Sequence, residues 1–134
     1  MGKIKQFEDL EIWKEATNIA IEIYLVSEKG KLKNDFGMKD QIRRAAMSIS
    51  DNIAECFEYE SNLQFVRFLK YSKGSAGELR NKLYVLKKAD FIDELFYSTM
   101  HKRLIDLSKS ISGFIKYLKE FEKKKETLSQ KSLA

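Results

Sequence analysis

Gln41-Ile42-Arg43-Arg44-Ala45-Ala46-Met47-Ser48-Ile49-Ser50-Asp51-Asn52-Ile53-Ala54-Glu55 decides the fold of this chain. Ile42, Ala45, Ile49 and Ile53 recur at spacings of three and four, which puts them on one face of a helix. Small residues flank the stripe, so a neighbouring helix can approach closely. Similar patterns appear on both sides of this stretch. A first block runs from about Asp9 to Lys29, with Ile12, Ala16, Ile19, Ile23 and Val26 in register, Trp13 and Ala20 widening the face and Gly30 as a stop. The second block, which holds the quoted stretch, spans about Met38 to Phe57.

The third block opens at Ser61 and Gln64, a capping-box pattern. It carries Phe65, Leu69, Ser72, Ala76, Leu79, Leu83 and Leu86 and ends near Ala89. A fourth, from about Asp93 to Phe121, alternates strictly by four and three through Met100, Leu104, Leu107, Ile111, Phe114, Leu118 and Phe121. No block alternates as a strand would. Short connections make consecutive helices antiparallel neighbours, so the expected fold is all-α, an antiparallel up-down-up-down four-helix bundle over residues 1–121. Beyond Phe121 the periodicity stops, and 122–134 reads as a basic, disordered tail.

The chain has 134 residues, enough for one domain with a sizeable core and no need of metal or disulfide. Proline is absent, so nothing of that kind breaks the helices. Cys56 is the single cysteine and has no internal partner, which fits a reducing compartment. With no secretory-signal pattern and no membrane-length apolar run, cytoplasmic residence is the expectation. The net charge is +5. The four lysines and two glutamates after Phe121 supply +2 of it, leaving a modest +3 for the bundle. Charge alone tilts the reading only slightly toward an anionic partner.

Catalytic chemistry finds little support. Di-iron bundles need Glu-x-x-His pairs facing inward. His101 is the sole histidine, has no glutamate three residues before it, and adjoins Lys102 and Arg103 as on a solvated face. Cys56 falls on the core side of its helix, where a thiol acts as a small apolar group. No phosphate loop or dinucleotide fingerprint is present. The expectation is a non-enzymatic protein without cofactor, metal or small-molecule substrate.

Three polar features call for an explanation. Gly74 and Gly77 lie inside the third helix, on the side away from its stripe, where each costs about 0.8–1 kcal/mol relative to alanine. Either the helix tolerates or bends at them, or a second packing surface meets the backbone there. In the second helix Lys39, Arg43 and Arg44 come first and Asp51, Glu55 and Glu58 last, against the helix macrodipole. Solvation can absorb this; a head-to-tail contact between subunits would use it. Lys73, Arg80 and Lys87, seven apart, flank the third stripe. Such side chains commonly cover apolar surface with their stems. Alternatively, with Lys70, Lys88, Arg43 and Arg67, they track a phosphate backbone, and Tyr59, Tyr71 and Tyr84 stack on bases.

Phe7, Leu10 and Trp13, then Gln41, Arg44, Ala45, Ser48, Ile49, Asn52, Ile53 and Glu55, then Gly74, Ser75 and Glu78 form a constellation. It resembles the bacterial four-helix-bundle family of the 23S rRNA intervening-sequence proteins, over about Phe7 to Phe121. A similar bundle is the accessory variability determinant of diversity-generating retroelements. The resemblance implies a homopentameric bundle whose partner is RNA or a reverse-transcriptase-like protein bound through basic surfaces. Two departures stand out. Cys56 replaces the family's usual glycine, so the second helix is expected to run on a little further. Lys31-Leu32-Lys33-Asn34-Asp35 lacks the proline frequent in the first loop.

The expected function is therefore that of a cytoplasmic oligomeric adaptor for structured RNA or a nucleic-acid-processing protein. The alternative is a homo-oligomeric protein scaffold with no nucleic-acid role. The expected anion-contacting set is Lys39, Arg43, Arg44, Arg67, Lys70, Lys73, Arg80 and Lys87, too dispersed for one face of a monomer, so that a ring would assemble it. The expected subunit contact uses Arg44, Asp51, Glu55, Gly74 and Gly77.

Overall fold

Apolar stripes of the kind read above can be buried only against one another, and the chain does this with four helices. In the computed structural model, which describes residues 5–58 and 61–133, these are α1 (Glu11–Val26), α2 (Phe36–Phe57), α3 (Asn62–Lys88) and α4 (Glu94–Leu133). Short 3-10 turns at Phe7–Asp9 and Gly30–Asn34 precede α1 and α2. The helices run up-down-up-down, each packing on the next, and α1 closes the bundle against α4. There is no strand among the described residues, and no helix there is long and apolar enough to cross a membrane.

The core follows the stripes closely. Ile19, Ile23, Ile42, Ile49, Ile53, Leu69, Leu79, Leu83, Met100, Leu104 and Ile111 are fully buried. Each such side chain contributes about 1.5–3 kcal/mol by leaving water. Leu32, in the first loop, is also fully buried and pins the turn that the absent proline would otherwise stiffen. Phe7 packs edge-on to Trp13, with ring centroids 5.3 Å apart, and Leu10 is buried beside them.

The most extensive seam lies between α2 and α3, where the small residues of the opening stretch sit. Ser72 Oγ, fully buried, donates to the Ile49 carbonyl at 2.8 Å. Ser48 and Ser75 hydroxyls meet at 2.8 Å, and Asn52 Nδ2 donates to the Ser48 carbonyl at 2.7 Å. Lys82 Nζ bridges from α3 to Gln41 Oε1 at 3.1 Å and stands 3.6 Å from Glu78. Much of the constellation that carries the family resemblance is thus the hydrogen-bonded lining of one helix pair.

Helix ends differ in detail from expectation. Ser61 occupies the cap position of α3, but its side chain makes no cap bond, so the expected capping box does not form. The side-chain caps are Asp35, accepting from Met38 N at 3.1 Å, and Asp93, accepting from Phe96 N at 2.7 Å. α1 stops at Val26, earlier than its glycine signal; Gly30, at φ +55°, starts the following turn. α2 ends one residue after Cys56 rather than running on toward Ser61. Asp90, at φ +62°, closes α3 in the left-handed region where glycine is usual.

α4 corrects a larger expectation. Its backbone stays helical to Leu133, where an irregular tail was expected after Phe121. The core does stop nearby: Leu118 is buried, whereas Phe121 is half-exposed. Asn62 Nδ2 donates to Glu122 Oε1 at 2.8 Å and ties the first residue of the extension to the start of α3. From Lys123 to Lys131 the side chains are solvent-exposed, as their polar composition requires.

Candidate nucleic-acid interface

The bundle sorts the eight expected cations by what already holds them. At the α1–α2 corner, Lys39 and Arg43 both pair with Glu28 Oε1. Arg43 Nε also donates to the buried Ser27 Oγ at 2.8 Å, and its guanidinium lies over the Tyr24 ring at 4.4 Å. The Lys39 and Arg43 hydrogen bonds lower the Glu28 pKa below the ordinary glutamate value. These two cations act as a clamp between helices.

Arg44 extends from the outer ridge of α2, 2.9 Å from Asp40 and largely exposed. Asp51 and Glu55 lie exposed further along α2, with no ion pair to a described residue. On α3, Arg67 Nε donates to Tyr71 Oη at 2.8 Å. Lys87 stands 4.3 Å from the Tyr97 ring centroid, 5.3 Å from that of Tyr84, and 3.6 Å from Glu94. Lys70 and Lys73 are exposed and Arg80 half-buried, and none of the three has an ion-pair partner among the described residues.

Lys73 and Arg80 share a groove with α4. Its walls are Lys73 and Arg80 from one helix and Ile105, Ser108, Lys109 and Ser112 from the other, enclosing about 420 Å³. Three cations and two hydroxyls face the space, and no carboxylate lines it. Arg80 Nε is fully buried and finds no acceptor among the described residues. A buried donor without a partner carries a desolvation penalty.

A second cleft continues from Arg80 in the opposite direction along α3. Gly77, Arg80, Asn81 and Tyr84 form one side and Tyr97 and His101 the other, around about 310 Å³. Tyr97 lies against His101 at 5.6 Å and edge-on to Tyr84 at 6.2 Å. The two outward glycines therefore differ. Gly74 is on the exposed ridge, while Gly77 is half-buried and opens onto this cleft; a Cβ on either would meet nothing within 4 Å.

Sequence reasoning singled out Lys73, Gly77 and Arg80 on the α3 side of these two spaces and named no binding residue on the α4 side. His101, read as part of a solvated face, is a cleft wall; Ser108, Lys109, Ser112 and Tyr97 were not singled out. A signal was available: Ser108 and Ser112 are four apart and flank the α4 stripe on the side that an antiparallel α3 must cover. Tyr59 lies outside the described residues, Tyr71 partners Arg67, and Tyr84 lines the cleft.

The family model for the 23S rRNA-intervening sequence protein matches residues 8–113. The chain belongs to the 23S rRNA-intervening sequence protein family. The bundle is also similar to a crystal structure of a protein of unknown function from the S23 ribosomal protein family of Bacteroides thetaiotaomicron VPI-5482. The TM-score is 0.71 at 24% identity, over 78% of this chain and 98% of that one, a likeness of fold. No curated protein matches.

Other chemistry is sparse in this family member. Cys56 is fully buried, and burial pushes its thiol up to about 12 while its Sγ donates to the Ile53 carbonyl. It is held protonated and inert. No group of three or more metal-ligating side chains occurs among the described residues.

Proposed function

We propose that this protein binds structured RNA through the α3–α4 face, acting by recognition and not by catalysis, in the cytoplasm. The observation that carries the reading is the groove of Lys73, Arg80 and Lys109, three cations without a lining carboxylate and with one buried donor unsatisfied. Cations so placed neutralise phosphates and release counterions, whereas Lys39 and Arg43 are already occupied by Glu28. Membership of a family named for a 23S rRNA intervening sequence agrees with an RNA-related role. Lys70, exposed on the same helix, adds to this basic surface, whereas Arg44 pairs with Asp40 on α2 and Arg67 with Tyr71.

Self-association is the second part of the proposal. Asp51 and Glu55 expose carboxylates with no ion pair among the described residues on the ridge that begins with Arg44, and Gly74 leaves bare backbone on the adjacent helix. A closed ring, five-membered as in the family resemblance, would set Arg44 of one copy against the acids of the next. Exposed Ile21, Leu25 and Phe36 favour a purely protein-binding scaffold as the competing reading.

Light scattering fixes the mass, and titration of a folded RNA into the same sample across a salt series tests the partner. The expected result is a closed oligomer whose affinity falls steeply with salt. A closed oligomer indifferent to RNA would replace the RNA reading with the scaffold, and a folded monomer would remove the ring.

A further inference from the structure

The cleft floored by Gly77 differs in chemistry from the basic groove beside it. The groove offers charge and hydroxyls. The cleft offers rings on both sides (Tyr84 from α3, Tyr97 and His101 from α4), a side-chain amide at Asn81, and a bare helix backbone where Gly77 lacks a side chain. The two share Arg80, whose buried Nε has no acceptor among the described residues. Phosphates and bases alternate along a nucleic-acid strand, and unpaired bases are bound by stacking on aromatic faces.

From this juxtaposition we infer that the cleft is a subsite for one unpaired nucleotide of an RNA loop or bulge. The base lies over Gly77 between Tyr84 on the α3 side and Tyr97 and His101 on the α4 side, and its phosphate reaches the groove of Lys73, Arg80 and Lys109. The inference rests on the RNA reading above and narrows it from phosphate binding to a preference for unpaired nucleotides. Its volume, about 310 Å³, lies at the lower end of the roughly 300–1,000 Å³ typical of small-ligand pockets. A glycine at the floor also gives a reason for a residue that weakens the helix. Any side chain at that position would enter the space the base needs.

The test uses the full chain and two fluorescein-labelled RNAs of equal nucleotide count, a hairpin with an oligouridine loop and a blunt duplex. Wild-type protein should bind the hairpin more tightly. Gly77→Leu fills the cleft and Tyr84→Ala removes an exposed ring. Each should weaken hairpin binding by ~5- to 150-fold, the range for one stacked base, and leave duplex binding unchanged. Helical circular dichroism checks the fold of both, and Tyr84→Ala carries the test if Gly77→Leu does not fold. Equal binding of both RNAs by wild type and variants would overturn the subsite while leaving the RNA reading in place. Loss on hairpin and duplex alike would also overturn it. Failure of wild type to bind either RNA would remove both inferences together.

Discussion

α4 is flanked by two grooves of similar size and opposite charge. Toward α1, about 480 Å³ is lined by Glu11, Glu15 and Asp106 against Arg103, with Ile12, Leu107 and Ser110 beneath. Toward α3, about 420 Å³ is lined by Lys73, Arg80 and Lys109 and no carboxylate. The first groove is internally answered: Arg103 Nε donates to Glu15 Oε1 at 2.8 Å and fastens α4 to α1. The second is not, and Arg80 Nε, buried at its edge, has no acceptor among the described residues. What separates a structural seam from a candidate binding surface here is whether charges are satisfied within the fold, more than how many there are.

The strongest way to break this contrast is to invert the basic groove. Lys73→Glu with Lys109→Glu should lower RNA affinity roughly tenfold to hundredfold at moderate salt and reduce the salt slope by about 1.5. Glu11→Lys with Asp106→Lys, on the other flank, should leave affinity unchanged. Fluorescence anisotropy across a salt series reads both. A gain from the acidic-flank pair as large as the loss from the basic pair would show that only net charge matters.

The bundle itself was legible because α3 and α4 repeat their apolar residues without interruption, and every member of the α3 stripe is buried. The site was legible by halves. Lys73 and Arg80 stand out by their spacing, but Ser108, Lys109 and Ser112 belong to the surface only through the way α4 meets α3. Arg43 looked free because its partner, Glu28, lies across a loop, beyond the reach of helical periodicity. The helical extension past Phe121 was missed for another reason: its residues favour a helix locally while offering nothing apolar and regular to a core.

Smaller effects sharpen the same comparison. Glu15→Gln removes the carboxylate holding Arg103 and should cost about 0.5–1 kcal/mol in urea unfolding, with RNA binding untouched. Gly74→Ala, with open space for a Cβ, should stabilise the helix by about 0.5–1 kcal/mol. If that ridge packs against another subunit, the same change should also weaken the oligomer, which sedimentation would detect.

The Glu28 clamp has the smallest effect and a definite sign. Its folded pKa is depressed, so the stability it supplies is fully present above the ordinary glutamate value. That contribution is lost as pH falls through the lower folded value. Glu28→Gln should therefore flatten the acid limb of the stability profile measured by thermal melts and lower stability near neutrality by a small, pH-independent margin.

Ultraviolet crosslinking of the bound RNA, followed by mass spectrometry of the crosslinked peptides, locates the interface most directly. The expected result is adducts within 70–88 of α3 and 97–112 of α4, with Tyr84 and Tyr97 prominent. Adducts concentrated on α1 and the outer ridge of α2, with the α3–α4 face unmarked, would contradict it.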